Sequence, residues 1–247
     1  MAPRIACLDI ENTPGLGYFW GPTFKVDILK VLEPSRVMCF ASKWVGESKV
    51  EFRSTFHDGL EVMVQRAWEI LDEADAVITY NGKSHDMPHL NTEFLRAGLG
   101  LPSPYKNIDL YRVVKGNIKL HSNRLNSVLG EFGLGAKVTH EGLPLWLKCM
   151  AGDEKAWSRM RRYNIGDIRE TEKVYNLLRP VIPQSMHPNL SLYCDGTVCP
   201  KCGSSDLQSR GEREYLSGLY QRYRCNTCKG WSREPRSVAQ ASLRVLT

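Results

Sequence analysis

The chain has 247 residues, 42% of them hydrophobic and 24% charged, with a formal net charge of +6. This composition supports a packed core and excludes a disordered or fibrous chain, and the length fits one sizeable domain with a small appendage. No run approaches the roughly 18–20 apolar residues that cross a bilayer, and no basic-plus-apolar leader precedes the first strand-like run, so a cytoplasmic protein without a membrane partner is expected.

The charge is unevenly placed. Residues 1–198 hold 24 Lys and Arg against 23 Asp and Glu, whereas residues 199–247 hold 9 against 4. A cationic last fifth suits a polyanion. A modest excess survives even if four thiolates on one zinc ion subtract about two charges from it.

Residues 4–11 are a short apolar run ending in Asp9 and Glu11, followed by the turn residues Asn12, Thr13, Pro14 and Gly15. This predicts a strand that delivers two carboxylates on one face, because residues two apart share a face. Gly15, Leu16 and Gly17 with Gly21 lack the Gly-Lys-Ser/Thr ending of a phosphate loop and read as a flexible loop. There Tyr18, Phe19 and Trp20 either stack on a terminal base or pack locally. Two β-like runs follow at residues 37–45 and 49–56, then a helical period through Leu60, Val64, Ala67, Trp68 and Leu71.

Residues 76–80 predict a buried strand, Asn81 and Gly82 turn it, and Pro88 marks the start of a helix through Leu90, Phe94 and Leu95. Asp86 is thereby placed near a helix N-terminus. His85 and His89 read as satisfied or surface histidines rather than as a soft-metal pair. Residues 108–111 predict a strand, and Ser122 the N-cap of a helix through Leu125, Val128, Leu129 and Phe132 that ends at Gly133. Lys115, Lys119, Arg124 and Lys137 are candidates to steer a phosphate backbone, with a solvated face as the alternative. A long helix is expected from about 153 to 178, its apolar stripe formed by Trp157, Met160, Ile168, Thr171, Tyr175 and Leu178. Tyr163 and Asp167, four residues apart, share a neighbouring face.

Pro180, Pro183, Pro188 and Gly196 sit in a stretch without periodicity. The expected organisation is a domain over residues 1–182, a linker over 183–196, a small domain over 197–235 and a tail over 236–247. The eight cysteines divide into Cys7, Cys39, Cys149 and Cys194, expected as buried thiols with Cys194 a competing ligand, and two C-x-x-C pairs. Cys199/Cys202 and Cys225/Cys228 are the spacing of a four-cysteine structural zinc site. The segment between them alternates around Ser217 and Gly218 as a zinc-ribbon hairpin would, and is too small to fold without its metal. Tyr215, Tyr220, Tyr223 and Trp231, interleaved with Arg210, Arg213, Arg222, Arg224 and Arg233, suit stacking and phosphate contact on single strands, with protein docking as the competing reading.

Asp9, Glu11, Asp86 and Asp167 form a constellation of hard oxygen ligands suited to Mg²⁺ or Mn²⁺ rather than zinc. Four carboxylates brought together repel unless cations sit between them, and two metals about 3.5–4 Å apart clamp a phosphodiester for in-line hydrolysis. At these places the chain resembles the DnaQ-like 3′-5′ exonucleases of the DEDD superfamily, over about residues 4–180. Residues 9–14 look like the first exonuclease motif. The second is matched by Asn81, Gly82, Asp86, Met87, Pro88 and Leu90, and the third by Tyr163 and Asp167. A histidine-type member would carry His where Arg162 stands, so the resemblance is to the tyrosine type. His85 departs from the aromatic common at that position. The trailing cysteines are similar to those of stand-alone phage-encoded members.

The resemblance implies an α/β, ribonuclease-H-like mixed sheet flanked by helices, followed by a small C-terminal zinc ribbon. It implies two catalytic Mg²⁺ or Mn²⁺ ions on Asp9, Glu11, Asp86 and Asp167, with Tyr163 orienting the attacking water. One structural Zn²⁺ is expected on Cys199, Cys202, Cys225 and Cys228. The expected activity is 3′-5′ exonucleolytic hydrolysis of single-stranded nucleic acid, DNA by resemblance, with a replication protein or polymerase as a further partner. The alternatives are an RNA exonuclease, because discrimination rests on contacts to the 2′-OH, and a non-catalytic nucleic-acid-binding adaptor, against which the retained carboxylates and tyrosine argue.

Overall fold

The computed structural model describes residues 2–20, 28–137 and 139–240. Strand β1 (Ile5–Asn12) is followed by β2 (Leu16–Phe19), β3 (Ile28–Glu33), β4 (Val37–Trp44) and β5 (Glu51–Ser54). Helix α1 (Leu60–Glu73), β6 (Ala76–Thr79), α2 (Asp86–Arg96) and β7 (Lys106–Asp109) come next. Helices α3 (Leu110–Asn117), α4 (Leu125–Glu131), α5 (Leu143–Met150) and α6 (Glu154–Leu178) complete this part.

The main sheet has the order β5-β4-β1-β6-β7. β4 runs antiparallel to β1 and β5, and β6 runs parallel to β1 and β7, giving the mixed, ribonuclease-H-like sheet expected from sequence. The pleat of β1 places its two faces in different surroundings. Ala6, Leu8 and Ile10 pack with Met63, Val64, Ala67, Ile70 and Leu71 of α1 and with Met87, Leu90 and Phe94 of α2. Burial of each large side chain there contributes about 1.5–3 kcal/mol. Cys7, Asp9 and Glu11 point the other way, toward α6: Cys7 Sγ lies 3.8 Å from the Ile168 carbonyl, and Asn164 of α6 donates to Asp9. Trp157, Met160, Ile168, Thr171, Tyr175 and Leu178 are all buried, as the helical period requires.

Several elements differ from the sequence reading. Residues 16–19, read as part of a loop, pair with β3 as a two-stranded hairpin whose Tyr18, Phe19 and Trp20 are exposed; Gly21 lies outside the described residues. The run at 108–111 turns from strand to helix at Leu110, because the Asp109 carboxylate accepts the Tyr111 N–H and caps α3. Ser122 is not the N-cap of α4; Arg124 is, and the Ser122 hydroxyl accepts its N–H. Gly133, at φ 63°, does end that segment.

Residues 176–240 belong to a second compact unit. Its strands β8 (Leu207–Tyr215), β9 (Gly218–Cys225) and β10 (Trp231–Arg233) form an antiparallel sheet in the order β10-β9-β8. Residues 183–196, read as a linker, fold into this unit. His187 is buried, residues Leu190–Leu192 form a 3-10 turn, and the Leu190 N–H donates to the Pro200 carbonyl at 2.9 Å. In the expected tail, Val238 and Ala239 pair with Leu219 of β9, while residues 241–247 lie outside the described residues. Among the described residues no helix is long and apolar enough to cross a membrane.

Candidate active site

Asp9 and Glu11 leave β1 on the face that looks at α6, and Asp167 meets them from one turn beyond Tyr163 on that helix. Ligand oxygens from Asp9, Glu11 and Asp167 all lie within 4.8 Å of one another. Asp86 stands outside this group of three. Its Oδ1 accepts the Ile10 N–H at 3.1 Å, extending the hydrogen bonding of β1 beyond the end of β6. Even so, Asp86 exerts the strongest of the neighbouring charges on Asp9.

The turn that presents Asp86 is tightly specified. A Cβ on Gly82 would fall 2.4 Å from the Cβ of Thr79, so only glycine fits, and Asn81 takes a left-handed φ of 71°. The buried Asp109 carboxylate holds this turn through the N–H groups of Asn81 at 2.9 Å and Lys83 at 3.3 Å. Asp109 is a supporting residue that sequence reading missed, since only the fold brings it beneath the 81–83 turn. His85 and His89 lie edge to face at 4.9 Å on the exposed side of the start of α2.

The environment is hostile to uncompensated negative charge. Burial, followed by the charges of Asp86, Glu11 and Asp167, raises the Asp9 carboxyl well above the usual carboxylate range. Burial and the Asp167 charge push Glu11 up to about 8, against the pull of Lys137 and a hydrogen bond from Trp146. Asp86 is pushed up to about 6 by burial, and burial also raises Asp167 against the attraction of Lys137. Tyr163 is raised by burial and then by the Asp167 and Glu11 charges, so its hydroxyl stays protonated at neutral pH and is a hydrogen-bond donor rather than a base.

Three further side chains organise the cluster. Lys137 Nζ lies 2.6 Å from Asp167 Oδ2 and 3.2 Å from the Tyr163 hydroxyl, so this lysine, a candidate for backbone steering, is part of the site. Asn164 Nδ2 donates to Asp9 Oδ2 at 2.6 Å, and Trp146 donates to Glu11. Tyr163 forms an edge-to-face ring cluster with His140 and Trp146, whose centroids lie 4.6 and 6.2 Å from its own and 4.8 Å from each other. Beside it opens a cavity of about 290 Å³ lined by His140, Arg159 and Arg162.

The donor set fits divalent metal. Among the described residues, four carboxylates face the one ammonium of Lys137, and the buried Asp167 Oδ1 has no hydrogen-bond partner. Hard oxygen donors with unspent lone pairs and excess negative charge are what Mg²⁺ or Mn²⁺ requires.

In the second unit the four cysteine sulfurs also lie within 4.8 Å of one another. Cys199 and Cys228 are 3.6 Å apart, as are Cys202 and Cys225, and none is disulfide-bonded. Zn–S bonds of about 2.3 Å in a tetrahedron set S···S distances of about 3.8 Å, so the cluster has the size of a zinc site. The two knuckles close alike. Gly203 at φ 74° returns its N–H to the Cys199 carbonyl, and Lys229 at φ 63° returns its N–H to that of Cys225. Cys194 is exposed and outside the four-sulfur group; Cys7, Cys39 and Cys149 are buried thiols.

A mixed sheet whose central strand delivers two acids toward a third on a facing helix is an arrangement of the ribonuclease-H-like fold class. Residues 30–179 match the RNase H superfamily, and the chain belongs to it. The matched stretch contains Asp86, Tyr163 and Asp167 and begins after Asp9 and Glu11. Among solved structures, that of RNase D from Trypanosoma brucei is similar, at 14% identity and a TM-score of 0.42. The alignment covers 70% of this chain and 57% of that one, so the chain spans less than two thirds of that protein. No curated protein sequence matches the chain.

Proposed function

We propose that the protein is a metal-dependent 3′-5′ exonuclease of the tyrosine type, removing nucleotides from single-stranded nucleic acid, with DNA as its substrate. The observation that carries this reading is the convergence of Asp9, Glu11 and Asp167 within 4.8 Å, with one Asp167 oxygen left unpartnered. Asp9, Glu11, Asp86 and Asp167 would hold two Mg²⁺ or Mn²⁺ ions. When bound, these supply the Lewis acidity that activates water and neutralises charge on the scissile phosphate.

The chain's own residues supply position. Asn164 and Trp146 fix the carboxylates of Asp9 and Glu11, and Asp86 ties the end of β1 to the start of α2. The protonated Tyr163 hydroxyl bonds to Asp167 and is available to orient a water or a phosphate oxygen. Cys199, Cys202, Cys225 and Cys228 would hold one structural Zn²⁺.

The test is degradation of 5′-labelled single-stranded DNA and RNA in Mg²⁺ or Mn²⁺, with free and blocked 3′ ends. Stepwise shortening of the free-ended DNA alone is expected. Equal cleavage of blocked ends would replace the exonuclease with an endonuclease, and preference for RNA would replace the substrate.

A further inference from the structure

The pleat of the C-terminal sheet sorts its charges. Residues opposite one another in an antiparallel pair point to the same face. Trp231 lies opposite Arg224, and Arg233 opposite Arg222. On the other side of β9, Arg213 lies opposite Tyr220 and Tyr215 opposite Gly218. Tyr220, Arg222 and Arg224 alternate along β9, so all these side chains share one face. Glu212, opposite Gln221, and Glu214, opposite Leu219, occupy the other.

One face thus gathers four guanidinium groups and three aromatic rings, while both carboxylates of β8 are turned away. The rings and cations interleave. Arg222 and Arg224 lie 5.3 and 6.0 Å from the Trp231 ring centroid, and Arg233 lies 3.8 Å from that of Tyr220 and 5.1 Å from that of Tyr215. Trp231 is 50% exposed and Tyr215 41%. Arg213, Tyr215, Arg222, Trp231 and Arg233 line an open cleft of about 490 Å³. None of the four arginines pairs with a carboxylate among the described residues, and the covered Nε atoms of Arg222 and Arg224 have no hydrogen-bond partner. Like charges held together without counter-charge call for an anionic ligand, and exposed rings between them call for one that stacks.

We propose that this face is a single-strand nucleic-acid site, in which bases stack on Trp231 and Tyr215 while intervening phosphates meet Arg213, Arg222 and Arg233. A single strand alternates flat apolar bases with phosphates, matching the alternation of rings and cations; an acidic peptide would satisfy the arginines and leave the rings bare. The site deepens the exonuclease reading and rests on its single-strand substrate.

The test uses the full-length, zinc-loaded chain with hydrolysis blocked by Asp9→Asn, and fluorescence anisotropy on oligothymidylate and oligouridylate of about 30 nucleotides. Against that parent, Arg213→Gln/Arg233→Gln should weaken binding and lower the log–log salt slope by about 1.4, since each lost phosphate contact on a single strand removes roughly 0.7. Trp231→Ala should weaken binding about 5- to 150-fold with the slope unchanged, the range expected for one stacked base. Glu212→Gln/Glu214→Gln, on the opposite face, should not weaken it. Zinc content of each variant reports whether the ribbon is intact. Unchanged affinity and slope in the arginine variant, with zinc retained, would overturn the site and leave protein docking as the use of this face.

Cleavage of short oligonucleotides, measured separately with Asp9 intact, distinguishes the two readings. If cleavage is present and binding is insensitive to the arginines, the ribbon site fails and the nuclease stands. If cleavage is absent and binding responds as described, the nuclease fails and the site stands.

Discussion

Replacing Lys137 by Met keeps the aliphatic stem and removes the ammonium that pairs with Asp167 at the carboxylate cluster. Lys137 Nζ is 2.6 Å from Asp167 Oδ2, with side-chain exposures of 28% and 5%. Removing one partner of a buried pair costs about 3–5 kcal/mol. Two features lower that figure: the lysine is partly solvated, and Asp167, already raised by burial, relieves its charge by taking up a proton. A loss of about 2 kcal/mol is expected, which for a domain of this size lowers Tm by about 4–8 °C. The same change should tighten Mn²⁺ binding, because the ammonium no longer competes for Asp167. If the full 2 kcal/mol is recovered, the gain is about 30-fold. The assay pairs thermal unfolding without added divalent metal with calorimetric titration of Mn²⁺ into zinc-loaded protein. Opposite signs are the signature: lower Tm, tighter Mn²⁺. An unchanged Tm with unchanged or weaker Mn²⁺ affinity would show that Lys137 is not the counter-ion of the cluster.

Tyr163→Phe removes a hydroxyl bonded to Lys137 and Asp167; losing one hydrogen bond to a charged group, about 1.5–3 kcal/mol, should lower single-turnover rates about 10- to 150-fold, with little change in Mn²⁺ affinity by calorimetry. Burial holds Glu11 at about 8 and Asp86 at about 6, above their ordinary values of 4.5 and 3.8. Such groups bind protons more tightly folded than unfolded, so stability of the metal-free protein should fall as pH rises from about 4 through about 8 and level off above. Saturating Mg²⁺ should flatten that decline, as read by Tm against pH. Cys202→Ser should abolish stoichiometric zinc and make residues 197–235 sensitive to protease, while the unit over residues 4–175 stays resistant.

Much of the main domain was legible because its signals are local. Asp9 and Glu11 share a strand face by the period of two, and Tyr163 and Asp167 share a helix face by a spacing of four, so these positions emerged without tertiary information. The missed groups act across the fold. Asn164 reaches Asp9 over 155 residues, and Lys137, legible in the sequence only as a candidate for backbone steering, meets Asp167 from the non-periodic stretch between α4 and α5, 30 residues earlier. Helix α5, with only Leu145 and Cys149 buried among its eight residues, carries too short a pattern to stand out. The hairpin at β2 and β3 is exposed on nearly every residue and so lacks the alternation that marks a half-buried strand. In the ribbon the cysteine spacing announced the cluster, but the sorting of charges did not show. The bulge between Ser209 and Glu212 shifts the phase of β8, so Arg213 faces away from Ser209 although simple alternation would place them together.

The most direct test of the account is the stoichiometry of Mn²⁺ at the carboxylate cluster, followed by electron paramagnetic resonance on zinc-loaded protein. Two ions per chain, spin-coupled as expected for a separation of about 3.5–4 Å, with coupling lost in Asp9→Asn and zinc content unchanged, is the predicted result. Absence of bound Mn²⁺, or the same coupled signal in Asp9→Asn as in the parent, would contradict a two-metal site built on Asp9, Glu11, Asp86 and Asp167.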